Sequence, residues 1–183
     1  MNIVVYCSSR ENLEQKYIDQ ARRLGQWIGT RRHTLVYGGV NAGLMHVTAE
    51  AAHQSGGYLL GVNTHKFSSR SEPLVDEMLY VDDLGTRKAL MYDHGDAFVV
   101  MPGGLGTIDE WISTLSQLIV DGDRSRRIFV LNDSGMYDHI IDQIHLTAGS
   151  PFSRDPNIEC SVVVGGIDSL LEALTQFEQE YEK

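Results

Sequence analysis

Cysteine is scarce in this chain: Cys7 and Cys160 are the only two in 183 residues, far apart and in no CxxC or other metal-like spacing. That argues against a disulfide framework, a zinc knuckle and a dithiol redox centre, and fits reduced thiols in a cytoplasmic protein. Lysine is almost as rare, with only Lys16, Lys66, Lys88 and Lys183. Arginine and lysine together number 15 against 25 acidic residues, giving a formal net charge of −10. A general electrostatic grip on nucleic acid or on an anionic membrane surface is therefore disfavoured, although local amides and a few arginines can still hold a small anion. No run approaches the ~18 consecutive apolar residues of a membrane span. The first residues, Met1 to Tyr6, lack the basic region and long apolar stretch of a signal peptide and read as a strand. The histidines include no HExxH pair; His46 and His53 lie two helical turns apart with nothing nearby to complete a ligand set, so neither metal nor other cofactor is expected. GxGxxG and GxxxxGK[ST] are also missing, which removes the dinucleotide fingerprint and the Walker loop.

What is present is ordinary globular composition, 42% hydrophobic and 22% charged, enough for one domain over residues 1–183 with a substantial core. Much of the acidity falls in a solvated C-terminal helix, at Glu172, Glu178, Glu180 and Glu182. Short apolar runs at 3–7, 34–37, 58–62, 78–81, 97–100, 128–131 and 162–164 read as strands. Between them, Leu13, Tyr17, Ala21, Leu24 and Ile28 recur at helical spacing behind a capping Asn12, and helices are also expected after residues 43, 82 and 137, over Trp111 to Val120 and over Ile167 to Phe177. Residues 63–76 and Gly149 to Asn157 have no period and are expected to be loops. Alternation of strand and helix predicts an α/β fold with a doubly wound, mostly parallel sheet. In such a sheet the turns after strands one, two and five can converge on one edge.

The stretch Met101-Pro102-Gly103-Gly104-Leu105-Gly106-Thr107-Ile108-Asp109-Glu110 occupies one of those turns. Its glycines let backbone approach a ligand, and the helix that follows offers unpaired N–H groups to an anion such as phosphate. Thr107-x-x-Glu110 is also a capping box, in which Glu110 serves only the helix end. A second glycine-rich turn, Gly38-Gly39-x3-Gly43, leads into another helix. Arg87 and Lys88 sit at a helix start, where cations oppose the dipole, so another interaction must reward them.

Together, Pro102-Gly103-Gly104-x-Gly106-Thr107-x-x-Glu110, the turn Tyr37-Gly38-Gly39-x3-Gly43-Leu44-Met45 and the segment Arg87-Lys88-Ala89-x-Met91 resemble the cytokinin-activating phosphoribohydrolase family. The plant members of that family are called LONELY GUY proteins, and it is often labelled "lysine decarboxylase-like". The resemblance covers residues 1 to about 120. It implies a Rossmann-like homodimer, its sites completed near the dimer interface. The implied reaction is hydrolysis of the N-glycosidic bond of a purine nucleoside 5′-monophosphate, AMP or an N6-modified AMP, to free base and ribose 5-phosphate. It further implies Arg87 and Glu110 as the catalytic pair. The nucleotide site it implies comprises Lys88, Gly103, Gly104, Leu105, Gly106, Thr107, Ile108 and Asp109, with Ser8 from the first turn and Gly38, Gly39, Gly43 and Met45 from the second.

The chain departs from the family pattern in its first turn, Cys7-Ser8-Ser9-Arg10, at Val40 and His46, where glycines are usual, and at Asp109; beyond Leu118 the match fades. Val40 and His46 bear on the base pocket more than on the reaction. A competing reading is a nucleotide or molybdenum-cofactor carrier of the same fold, which binds without hydrolysing. A true lysine decarboxylase needs a pyridoxal-phosphate lysine, for which only Lys88 is placed.

Overall fold

The computed structural model describes residues 1–148, 150–153 and 161–181; Cys160, Glu182, Lys183 and residues 149 and 154–157 of the second expected loop lie outside them. The elements run β1 (Asn2–Tyr6), α1 (Gln15–Thr30), β2 (Thr34–Tyr37), α2 (Gly43–Gln54), β3 (Tyr58–Thr64), β4 (Glu77–Val81), α3 (Leu84–His94), β5 (Ala97–Val100), α4 (Leu105–Asp121), β6 (Arg127–Leu131), α5 (Asp138–Ala148), β7 (Ser161–Val164) and α6 (Ile167–Tyr181). A short 3-10 helix, His65–Arg70, joins β3 to β4.

The seven strands form one all-parallel sheet in the order β4-β3-β2-β1-β5-β6-β7. The chain winds outward from β1 to one edge, returns to lay β5 on the other side of β1, and winds outward again. Strand order thus reverses between β1 and β5, where a parallel sheet opens a crevice at its carboxyl edge.

Successive side chains of each strand point to opposite faces. Ile3, Val5, Leu35, Tyr37 and Val99 pack with Leu24 and Ile28 of α1, Ala49 and Ala52 of α2, and Leu170 and Leu174 of α6. Val4, Tyr6, Val36, Phe98 and Val100 pack with Met91 of α3, Trp111 and Leu115 of α4, and the partly buried Ile140, Ile141 and Ile144 of α5. Burial on both faces explains why the central strands read as unbroken apolar runs rather than as alternation.

Two helix starts differ from expectation. Asn12 does not cap α1: its backbone is left-handed (φ 58°), and the cap position falls to Glu14, which makes no side-chain cap bond. The fourth helix starts at Leu105 with Gly104 as its N-cap, six residues before the expected Trp111, because low helix propensity does not keep Gly106 out of its first turn. Thr107 is then the third helical residue and Glu110 the sixth, so no capping box forms and Glu110 is free of cap duty. The start of α3 follows its sequence: the Asp83 carboxylate accepts from the Thr86 N–H at 2.9 Å.

Candidate functional site

The crevice is a cavity of about 910 Å³ lined by the ends of four elements. Cys7 to Asn12 follow β1, Val40 and Met45 follow β2, Asn63, Phe67 and Arg70 come from the end of β3 and the 3-10 helix, and Gly104 to Thr107 with Glu110 follow β5. Arg87 of α3 completes the wall.

The turn after β5 is held from two sides. The Ser8 N–H donates to the Pro102 carbonyl at 3.2 Å, and the buried Tyr137 hydroxyl donates to the Met101 carbonyl at 2.9 Å. The Tyr137 ring also meets Trp111 of α4 edge-on at 5.5 Å, which ties the helix to the same support. Gly104 caps α4 without a side chain, so the first-turn N–H groups, which no helix can satisfy internally, face the cavity. A β-carbon at Gly104 or at Gly106 would meet nothing within 4 Å. The turn is therefore an uncapped helix end beside open space, the arrangement that binds phosphate or carboxylate.

Arg87 spans the crevice. Its Nε donates to the Val62 carbonyl of β3 at 2.8 Å and its Nη1 to Glu110 Oε1 of α4 at 3.2 Å. On the way it passes Gly38, where a β-carbon would overlap Nη2. These contacts are the reward for a cation at a helix start that the sequence left unexplained.

Glu110 is only 6% exposed. Burial pushes its carboxyl up to about 7, against the pull of the Arg87 guanidinium; Asp109 pushes in the same direction as burial and Lys88 against it. Desolvation outweighs the ion pair, which leaves a carboxyl that exchanges its proton near neutral pH, the property required of a general acid or base. Cys7 also touches the cavity, but burial pushes its thiol up, so it stays protonated and is a poor nucleophile.

Of the remaining sequence-predicted residues, Ser8, Met45, Gly104, Leu105, Gly106 and Thr107 line the cavity. Gly43 supports it: with φ +56° it brings α2 against the first turn, where the Leu44 N–H donates to the Ser8 carbonyl at 2.9 Å. Gly38 makes room for Arg87, Gly39 (φ +63°) turns the chain, and Gly103 lies under the Thr107 side chain. Lys88, Ile108 and Asp109 are not on the cavity wall. Lys88 Nζ instead donates to both Asp109 carboxylate oxygens at 2.7 and 2.8 Å and to Ser113 Oγ at 2.9 Å, beside a smaller cavity of about 370 Å³ between α3 and α4.

Val40 does line the cavity, whereas His46 does not; its Nδ1 lies 2.7 Å from the buried Glu72 carboxylate, which fixes the segment after the 3-10 helix. Sequence reasoning did not assign Arg10, Asn63, Phe67 or Arg70 to the site. A usable signal was there, since each follows or ends a strand at the carboxyl edge of a parallel sheet. Among the described residues no three His, Cys, Asp or Glu side chains cluster to hold a metal ion, and no helix is long and apolar enough to cross a membrane.

Fold and site together define a parallel α/β protein with a ligand crevice at its topological switch point. Residues 45–176 match the family model described as "Possible lysine decarboxylase", and the chain belongs to that family. It is 32% identical over 176 residues to a cytokinin riboside 5′-monophosphate phosphoribohydrolase of Rhodococcoides fascians, covering 92% of this chain and 88% of the relative. A protein of the same name from Arabidopsis thaliana is 29% identical over 178 residues, covering 96% and 78% of the two chains. Among solved structures, the molybdenum cofactor carrier protein of Chlamydomonas reinhardtii superposes with a TM-score of 0.76 over 97% of this chain and 98% of its own, at 18% identity, a likeness of fold alone.

Proposed function

We propose that the protein hydrolyses the N-glycosidic bond of a purine nucleoside 5′-monophosphate, AMP or an N6-modified AMP, releasing the free base and ribose 5-phosphate. The observation that carries this reading is the pairing of the buried Glu110 with the half-buried Arg87 on the wall of the same cavity as the uncapped N-terminus of α4. The named relatives support the same reaction.

The chemistry follows from these groups. The first-turn N–H groups of α4 take the phosphate and set the ribose against Glu110. Breaking the C–N bond builds positive charge on the sugar, which the Glu110 carboxylate stabilises while it positions or deprotonates the attacking water. Oxygen from water bonds to the anomeric carbon, and the proton it sheds balances the one taken up by the departing base. Arg87 stays protonated and keeps Glu110 in place through its bonds to the Glu110 carboxylate and the Val62 carbonyl. Lys88, held by Asp109 and Ser113, is not presented to the cavity as a Schiff-base lysine, which counts against a decarboxylase.

We also propose a homodimer, since Leu84 on α3 and Leu105, Ile112 and Val120 on α4 are exposed apolar residues that a second copy can cover. Incubating the purified protein with AMP and with N6-isopentenyl-AMP, in the presence of a chelator, and separating the products by chromatography tests the activity. Free base with ribose 5-phosphate is the expected result. Nucleotide bound but left intact would replace the hydrolase with a carrier.

A further inference from the structure

The cavity carries cations that the hydrolytic reading does not use. Its charged lining consists of Arg10, Arg70 and Arg87 against Glu11 and Glu110, an excess of positive charge in a protein whose formal net charge is −10. Arg87 is committed to Glu110. Among the described residues, the Arg10 and Arg70 side chains have neither an ion-pair nor a hydrogen-bond partner, whereas Arg22, Arg23, Arg31 and Arg126 are each paired with a carboxylate. Lys66, with its Nζ 5.7 Å from the Phe67 ring, adds a further cation to the same segment.

The backbone brings Arg10 and Arg70 together. The short turn before α2 is gripped from both sides: the Asn41 N–H donates to the Arg70 carbonyl at 2.8 Å, and Gly43 lies so close to Arg10 that a β-carbon there would overlap the Arg10 carbonyl. The segment carrying Arg70 is itself fixed. Val40 and Ser71 form an antiparallel bridge, the Glu72 N–H donates to the Gly39 carbonyl at 2.9 Å, the Glu72 carboxylate meets His46 at 2.7 Å, and the Tyr80 hydroxyl donates to Ser71 Oγ at 2.9 Å. Ligand binding therefore has to order two arginine side chains and not a loop.

Position across the sheet sets Arg70 apart from the phosphate turn, whereas Arg10 follows β1, the immediate neighbour of β5. The Arg70 segment follows β3 and the Gly104–Thr107 turn follows β5, with β2 and β1 between them. The Asn41 N–H draws the Arg70 backbone onto the turn after β2, two strand spacings or about 10 Å from the turn after β5. One ligand can therefore meet the amides of α4 with one end and Arg70 with the other, with Arg10 between them.

We propose that Arg10 and Arg70 form a second anion subsite, and that the preferred substrate is a purine nucleoside monophosphate whose base bears an acidic substituent. This rests on the hydrolase reading and refines its substrate class. A carboxylate on the base replaces water at two forked donors, whereas an alkyl substituent in the same place leaves both cations facing hydrocarbon.

The test compares N6-(1,2-dicarboxyethyl)-AMP with N6-isopentenyl-AMP, which share the nucleotide and the attachment point and differ in charge. The wild-type protein is expected to favour the dicarboxylate by about tenfold or more in kcat/KM, and Arg10→Ala and Arg70→Ala are each expected to cut that ratio by about fivefold or more. Arg70→Lys, which keeps the charge and loses the fork, is expected to restore part of it. Equal handling of the two nucleotides, a preference for the isopentenyl compound, or variants that leave the ratio unchanged would overturn the subsite and leave the hydrolase standing. If neither nucleotide is cleaved, the hydrolase reading fails, and calorimetric titration of the intact nucleotides decides the subsite: tighter dicarboxylate binding that is lost in Arg70→Ala upholds it, and equal binding removes it.

Discussion

Two ion pairs join the same two helices, and their partners are sequence neighbours. Arg87 pairs with Glu110 and Lys88 with Asp109. The first pair has side-chain exposures of 13% and 7% and faces the large cavity; the second has 25% and 54% and lies outside it. The shorter contact belongs to the exposed pair, at 2.7 Å against 3.2 Å. Closeness of charges is therefore not what distinguishes the candidate catalytic pair. Removal from water is: it pushes Glu110 up to about 7 despite its cationic partner.

The comparison breaks most visibly in activity. Glu110→Gln is expected to lower kcat/KM by about 10²- to 10⁴-fold, the range for losing a positioned acid–base group, and Arg87→Ala by a similar factor. Asp109→Asn is expected to cost less than tenfold, roughly the loss of one exposed pair. With Glu110 needed as carboxylate, wild-type kcat/KM rises with pH through about 7 and levels above it. A profile that instead falls through the same region would assign Glu110 the acid role.

Stability sharpens the contrast further. A carboxyl whose folded value is raised binds its proton more tightly in the native state, so its contribution is intact below about 4.5 and is lost as pH rises toward about 7. The stability of Glu110→Gln relative to the parent should therefore grow by on the order of 3 kcal/mol between pH 4 and pH 8 in denaturant titrations. A difference that stays flat across that range would show that Glu110 is not desolvated in the native state. The smallest effect belongs to the outer pair: Lys88→Ala should cost about 0.2–1 kcal/mol at low salt and less at high salt.

The sheet was legible because central strands buried on both faces leave unbroken apolar runs, as at Phe98-Val99-Val100. The catalytic candidates were legible only through the family motif, since no local rule says that Arg87 reaches Glu110 across 23 residues. The start of α4 was misjudged because glycine disfavours helix by propensity while Gly104 and Gly106 stand at and just inside its first turn. Arg70 went unassigned because residues 63–76 have no period; what fixes them is tertiary, above all the Glu72–His46 contact and the Val40–Ser71 bridge.

The adjacent glycines of the second turn are irreplaceable for unrelated reasons. Gly39 holds a left-handed backbone (φ +63°), so alanine there strains the chain itself. Gly38 has no such conformation; what it contributes is an absence, the volume through which the Arg87 guanidinium crosses to Glu110. Alanine at 38 is thus a plug rather than a kink, and its signature is a protein that melts near the parental temperature yet has lost its link between β3 and α4. An empty methyl-sized space is a working part of this site, invisible to any inventory of side chains.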